Sequence, residues 1–145
     1  MGRLLAIDYG TKRTGIAVSD TLKIIATGLT TTLSCNLLAF LKAYFSRENV
    51  ECVIVGSPKQ LDNKPSKNMK NVEFFVKNFK REFPLMPIIY YDERLTSVMA
   101  HKAMVDGGLK KTGRQNKALV DEISAVILLQ SYMESLNYKK SITQI

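Results

Sequence analysis

Two short apolar segments, at residues 50–55 and 88–91, flank a single amphipathic helix pattern, and this order is the strongest constraint on the fold. The helix pattern consists of apolar residues three and four positions apart, namely Met69, Val72, Val76, Phe79 and Phe83. A strand, a crossover helix and a second strand in one sheet run parallel, with a right-handed connection. We therefore expect the carboxyl ends of both strands at the same edge of a sheet.

Three further strand-like segments precede the first helix pattern. They occupy residues 3–8, 15–18 and 23–32, and short polar turns separate them. Consecutive strands joined by short turns pair antiparallel, so these segments predict a three-stranded meander. The first of them is expected to lie beside the strand at 50–55 and to run in the same direction.

The remaining apolar periodicity is helical. Further helix patterns cover residues of about 35–48, 97–106 and 117–136. Ser34 is of a residue type that caps helices, and we expect it to cap the first of these. The predicted fold is α/β: a five-stranded mixed sheet, with three antiparallel strands and then parallel strands, and helices on both faces. A length of 145 residues fits one domain, predicted over 1–138, with a flexible tail over 139–145.

Charge and composition narrow the class of partner. The chain has 21 Lys and Arg against 13 Asp and Glu, a formal net charge of +8, which favours a polyanionic partner. Its two cysteines, Cys35 and Cys52, are widely spaced, so neither a zinc site nor a disulfide framework is predicted and both are expected to be buried, reduced thiols. No apolar run approaches the ~20 residues of a membrane span, so we expect a cytoplasmic protein without a membrane partner.

Acidic residues follow two of the predicted strands directly. Asp8 ends the first strand, and Asp92 and Glu93 follow the last one. In open α/β sheets the carboxyl ends of the strands carry the functional site. Strand alternation lets only one of Asp92 and Glu93 point toward Asp8, and the residues alone do not choose between them. A structural alternative for Asp8 is a turn residue that bonds the amides after it.

Asp121 is the third acidic position. Helical spacing places it on the stripe formed by Ala125, Leu128 and Tyr132, so its carboxylate tops an apolar face. The structural alternative is an ion pair with Lys117, one turn earlier. Carboxylates gathered at one edge repel each other unless a cation joins them, and oxygen ligands favour Mg²⁺ or Mn²⁺.

Basic residues surround the three acidic positions. Ten of the 21 Lys and Arg side chains lie in the adjoining turns and loops, namely Lys12, Arg13, Lys59, Lys64, Lys67, Lys70, Lys110, Lys111, Arg114 and Lys117. Carboxylates that hold metal ions, ringed by cations that bind phosphates, are the arrangement that phosphodiester cleavage needs. The alternative is a set of solvated loop lysines without a ligand.

Four motifs carry a resemblance to a known family. They are Asp8-Tyr-Gly-Thr-Lys12 with Gly15-Ile-Ala17, Val55-Gly-Ser-Pro58, Asp92-Glu-Arg-Leu-Thr-Ser97, and Lys117 with Asp121, Ser124 and Ala125. In this order and spacing the chain resembles the YqgF family, also called RuvX. Members of that family have an RNase H-like fold, are similar to Holliday-junction resolvases, and are assigned to processing of the 5′ end of pre-16S rRNA.

The resemblance implies a nuclease that depends on Mg²⁺ or Mn²⁺. Asp8, Glu93 and Asp121 would be the catalytic, metal-binding carboxylates. The resemblance therefore favours Glu93 over Asp92. The residues that would bind phosphates of the substrate or position the acids are Thr11, Lys12, Arg94 and Lys117. The chain departs from the family pattern at Ser57 and Asn63, both in a loop expected to face the substrate.

Several alternatives stay open on the sequence alone. The partner is expected to be structured RNA, with pre-16S rRNA preferred over a DNA junction. A resolvase-like DNA endonuclease and an inactive nucleic-acid-binding module are the other candidate functions. An Asp-x-Gly-Thr turn also binds phosphates in the sugar-kinase, actin and Hsp70 group, but their cleft lies between two such domains. The number of metal ions, and whether the protein is a monomer or a homodimer, are also open.

Overall fold

The computed structural model of the chain describes residues 2–57, 69–92 and 117–143. Its elements, in chain order, are β1 (Arg3–Asp8), β2 (Arg13–Ser19), β3 (Ala26–Leu33), a 3-10 turn (Ser34–Asn36), α1 (Leu37–Arg47), β4 (Val50–Ser57), α2 (Met69–Glu82), β5 (Ile88–Asp92) and α3 (Lys117–Thr143). The predicted helix over 97–106 and the polar loop after β4 lie outside the described residues.

The five strands form one mixed sheet in the order β3-β2-β1-β4-β5. The meander of β1, β2 and β3 is antiparallel, because short turns join these strands. β4 runs parallel to β5, as the crossover through α2 requires, and it also runs parallel to β1. β1, β4 and β5 therefore end together, at Asp8, Ser57 and Asp92, and we call this the C-terminal edge of the sheet.

Alternation along the strands divides the core into two layers. On one face Leu5, Ile7, Val53 and Val55 pack against α1 and α2, with Phe79 fully buried between them. On the other face Leu4, Ala6, Ala17 and Ile54 pack against α3. Helices thus cover both faces, and the predicted fold class is confirmed.

Ser34 differs from its predicted role. The 3-10 turn precedes α1, which begins at Leu37 without a side-chain cap. The Ser34 hydroxyl instead hydrogen-bonds to Thr14 and to the carbonyl of Gly10. The prediction that Ser34 caps the helix is therefore wrong, because tertiary partners outcompete the local cap.

The last helix is longer than predicted. It runs to Thr143, whereas the apolar pattern suggested an end near residue 136. No Gly or Pro follows residue 117, so the sequence contains no stop signal there. The helix includes part of the segment 139–145, whose flexibility stays a prediction.

The two cysteines are free thiols, as expected, but the prediction that both are buried is wrong for Cys35, which lies in a surface turn rather than in the core. Cys35 is exposed in the 3-10 turn and Cys52 is half-buried in β4. Burial raises the pKa of the Cys52 thiol, with a smaller contribution from the neighbouring Glu51 carboxylate. Among the described helices, none has both the length and the hydropathy to cross a membrane.

Candidate active site

Asp8 is the last residue of β1 and lies on the sheet face that α3 covers. Leu4 and Ala6, which have the same parity along the strand, pack in the α3 layer. Asp8 is half-buried at the C-terminal edge, at the point where this layer opens to solvent. The sequence prediction placed it at this edge.

Gly15 brings α3 to Asp8. It is the register partner of Asp8 across β1 and β2, and directly opposed residues have Cα atoms about 4.5–5.5 Å apart. A Cβ atom built on Gly15 would lie 2.0 Å from the backbone oxygen of Asp121 and 2.4 Å from its carbonyl carbon. Only glycine allows this approach, so Asp121 stands directly over the residue that pairs with Asp8.

Arg13 is an ion-pair partner of Asp121. Its Nε donates a hydrogen bond to Oδ2 of Asp121 at 3.3 Å, and the two side chains are 35% and 28% exposed. Arg13 shares the strand parity of Gly15, which places it on the same face. A pair this exposed stabilises a fold by about 0–1 kcal/mol, so its main effect is to orient the Asp121 carboxylate.

The end of β5 is fastened to α3 by Tyr91. Its hydroxyl shares a 2.9 Å hydrogen bond with that of Ser131, and its ring meets Tyr132 edge to face, with centroids 5.6 Å apart. In the parallel register Asp92 is the partner of Ser57 in β4. The strand that leads to position 93 is therefore held against the helix that carries Asp121.

Replacement of Tyr91 with Phe should lower the free energy of unfolding by about 0.5–1.5 kcal/mol, the usual contribution of one hydrogen bond. The ring contact with Tyr132 is retained, so packing should change little. Chemical denaturation measures the effect. Ser131→Ala should give a similar loss, and the double variant should lose less than the sum, because both changes remove the same bond. Strict additivity would contradict the assigned contact.

The turn between β1 and β2 carries two of the predicted phosphate ligands. Thr11 and Lys12 are both exposed there, three and four positions after Asp8. The ring of Tyr9 stacks on Phe75 of α2, with centroids 5.0 Å apart, which fixes the start of the turn. The structure thus presents both residues to solvent in the turn that follows the strand ending in Asp8.

The described residues include only part of the predicted carboxylate set. The backbone of Asp121 lies over Gly15, the register partner of Asp8, whereas Glu93 and Arg94 lie outside the described residues. Lys117 begins α3, but its side chain is not described. Within residues 2–57, 69–92 and 117–143, no group of three or more His, Cys, Asp or Glu side chains could hold a metal ion. Two carboxylates that approach from separate elements remain hard oxygen donors of the kind that Mg²⁺ and Mn²⁺ prefer.

A family model for RuvX, described as Holliday junction resolvase, matches residues 2–135. The chain belongs to the RuvX family. The prediction of a nuclease, a hydrolase that acts on phosphodiester bonds, is confirmed with it.

Curated RuvX relatives match over nearly the whole chain. A Bacteroides thetaiotaomicron protein named "Putative pre-16S rRNA nuclease" is 59% identical over 138 residues, which cover 95% of this chain and 100% of the relative. A Bacteroides fragilis protein of the same name is 60% identical over 135 residues, 93% of this chain and 98% of the relative.

Solved structures of resolvases share the fold of this RuvX chain. The fowlpox virus Holliday junction resolvase matches with a TM-score of 0.54 and 19% identity, over 92% of this chain and 99% of the other. T. thermophilus RuvC, solved with a Holliday junction substrate, matches with a TM-score of 0.54 and 18% identity, over 92% and 96%. These likenesses confirm the RNase H-like architecture.

Two features of the RuvX site differ from the sequence reasoning. Ser57, expected in a substrate-facing loop, is 4% exposed at the end of β4, and its hydroxyl points to the Met69 sulfur. Arg13 was counted only among the basic residues, and its pairing with Asp121 was missed. The alternation of β2 places Arg13, Gly15 and Ala17 on one face, but it does not say which helix covers that face.

Proposed function

We propose that this RuvX chain is a divalent-metal-dependent nuclease that cleaves RNA at the 5′ end of the 16S rRNA precursor. The observation that carries the proposal is the approach of α3 to Gly15, which brings the Asp121 backbone beside the strand that ends in Asp8. Two carboxylates from distant parts of the chain at one half-buried edge repel each other unless a cation joins them. The name shared by the relatives at 59% and 60% identity supports the choice of RNA.

Asp8, Glu93 and Asp121 are the proposed ligands of Mg²⁺ or Mn²⁺ and the proposed catalytic residues. Position 93 has the same parity as Tyr91, which packs in the α3 layer, and this supports Glu93 rather than Asp92. A divalent ion held by these oxygens would supply Lewis acidity to the scissile phosphate and lower the pKa of a nearby water. Arg13 keeps the Asp121 carboxylate oriented toward this edge.

In this proposal the polar side chains of the turn between β1 and β2 bind the backbone of the substrate. They are Thr11 and Lys12, both exposed, and Arg94 and Lys117 complete the proposed set. A net charge of +8 attracts a polyanion to the protein before specific contacts form. Precursor rRNA as substrate implies a cytoplasmic protein in ribosome biogenesis.

A second candidate activity is cleavage of a four-way DNA junction, which the description of the matching family model favours. Such a junction has two-fold symmetry, so a resolvase acting on it would work as a homodimer with two equivalent sites. Cleavage of rRNA precursor at one position needs only a monomer. Substrate and oligomeric state are therefore linked in this comparison.

The experiment that tests the proposal compares two labelled substrates with the purified full-length chain. One is an RNA that spans the junction between the 5′ precursor segment and mature 16S rRNA, and the other is a four-way DNA junction. We expect the RNA to be cut at a defined position with Mg²⁺ or Mn²⁺ and to stay intact with a chelator, because the carboxylates then have no cation to hold.

Cleavage that continues undiminished in the chelator would refute metal dependence. If the DNA junction is cut symmetrically, the RNA stays intact and the protein sediments as a dimer, then junction cleavage rather than RNA processing is the activity of this chain. Binding of both substrates without any cutting, under every metal condition, would leave the inactive binding module as the function of this chain.

A further inference from the structure

Ser34 contacts the turn between β1 and β2 at two backbone carbonyls. Its hydroxyl donates a hydrogen bond to the carbonyl oxygen of Gly10, and its backbone N–H donates one to the carbonyl oxygen of Lys12 at 2.9 Å. The two bonded carbonyls flank Thr11. Ser34, at the start of the 3-10 turn, thus holds the turn between β1 and β2 on both sides of its exposed residue Thr11.

Thr14 fixes the direction of the Ser34 hydroxyl. A hydroxyl has one proton, and in Ser34 that proton goes to Gly10, so the Thr14 hydroxyl is the donor in the 2.8 Å bond between Thr14 Oγ1 and Ser34 Oγ. Thr14 is fully buried in β2. The bonds therefore run from a buried strand residue through Ser34 to the turn, which gives the turn a rigid support.

The two carbonyl bonds set which groups the turn shows to solvent. In a trans peptide unit the N–H points opposite to the C=O, and the described chain has no cis peptide bonds. Because the Gly10 carbonyl points to Ser34, the N–H of Thr11 points away from it. The Thr11 amide then lies on the side of this turn away from Ser34, and the Lys12 side chain is exposed in the same turn.

We propose that Ser34 is a positioning residue for nucleic-acid binding, which holds the turn so that the Thr11 amide and Lys12 take one phosphate of the substrate. The inference rests on the proposed nuclease function, because it assigns this turn to the substrate backbone. Ser34 touches no substrate atom itself. With both carbonyls held inward, a phosphate meets donors rather than the negative ends of peptide dipoles.

The test measures affinity for the labelled precursor RNA in EDTA, so that no cleavage occurs. Ser34→Ala should weaken RNA binding by about 3- to 30-fold, since one hydroxyl that makes two hydrogen bonds no longer orders the turn. In Mg²⁺, KM should rise similarly, while kcat stays within about twofold. Ser34→Thr keeps the hydroxyl and should restore binding.

The matched control is Ser46→Ala, which removes a serine hydroxyl bonded to the Ala43 carbonyl in α1, near the opposite edge, and should leave binding unchanged. Combining Ser34→Ala with Lys12→Ala distinguishes positioning from general destabilisation, because the Ser34 effect should shrink once Lys12 is absent. If Ser34→Ala does not fold, Thr14→Val removes the donor to Ser34 at constant shape and should weaken binding in the same direction.

Wild-type affinity and KM in folded Ser34→Ala would overturn the inference. Failure of Ser34→Thr to restore binding would overturn it as well. So would an equal loss of affinity from Ser34→Ala in the wild-type and Lys12→Ala backgrounds. If Thr14→Val has to be used, wild-type binding by that variant overturns it. None of these results bears on whether Asp8 and Asp121 support cleavage, because affinity in EDTA does not depend on the reaction. Failure of the proposed nuclease function would appear separately, in the carboxylate variants.

Discussion

A chain that carries both Asp8→Asn and Asp121→Asn should lose all detectable cleavage of the precursor RNA while it still binds that RNA. Asparagine keeps the size of each side chain but removes the negative charge with which a carboxylate holds a divalent cation. Each single substitution should slow cleavage at least about 100-fold, since loss of one preorganised electrostatic group typically costs 10²–10³ in rate. Single-turnover cleavage and a filter-binding assay measure the two properties on the same RNA.

Binding should not weaken in the double variant and should become slightly tighter. The double variant removes two negative charges that repel the RNA. It also frees the positive charge of Arg13, which pairs with the Asp121 carboxylate in the wild-type protein. The matched control is Glu134→Gln, which removes one exposed acid from the same helix, 13 positions after Asp121, and should cleave like wild type. Thermal melts check that the variants are folded.

Unchanged cutting by the double variant would refute the assignment of Asp8 and Asp121. Loss of cutting together with loss of binding would also contradict it, because the two acids would then be supporting the RNA surface rather than the reaction. The result expected here, binding without cutting, separates a nuclease from an inactive binding module.

The arrangement of the sheet was predictable because it follows from rules that use only element order. Two strands joined by a crossover helix in one sheet run parallel, which predicted that β4 and β5 end at one edge, where the structure has Ser57 and Asp92. The stripe on the last helix was equally informative. Ala125 and Leu128 are buried against the sheet, so the prediction that Asp121 tops an apolar face is confirmed.

The contacts that tune the site were not predictable from local patterns. Ser34 matches a helix cap in its local sequence, but its partners Thr14 and Gly10 lie 20 and 24 positions away. Arg13 meets Asp121 across 108 positions. Capping preferences and helical spacing describe neighbours in the chain, whereas these bonds depend on how α3 and the 3-10 turn approach the meander.

The choice between Asp92 and Glu93 illustrates the same limit in a strand. Alternation states that the two residues face opposite ways, but the sequence does not say which face α3 covers. The hydrogen bond between Tyr91 and Ser131 places Tyr91 on the face that α3 covers, and this supports the proposal of Glu93, two positions later.

Gly15→Ala should both destabilise the fold and slow cleavage strongly, although position 15 bears no functional group. The added Cβ would lie 2.0 Å from the backbone oxygen of Asp121, and backbone cannot rotate aside as a side chain can, so α3 has to move. Overpacking of this kind typically costs 1–3 kcal/mol, which corresponds to a fall in Tm of roughly 3–10 °C for a chain of this size. A shift of about 1 Å in a catalytic group costs on the order of 100-fold in rate.

Gly28→Ala is the matched control, because it places the same methyl group under the next residue of the same helix. There the added Cβ would meet only the Glu122 side chain among its three nearest atoms, with Oε1 at 2.3 Å and Cγ at 2.8 Å, and a whole side chain can rotate away at lower cost than backbone can move. Gly28→Ala should therefore keep Tm and cleavage close to wild type, whereas Gly15→Ala loses both. If both variants lose Tm and cleavage equally, the explanation offered for Gly15 is wrong. The effect would then come from the close contact of α3 with the meander in general and not from the placement of Asp121.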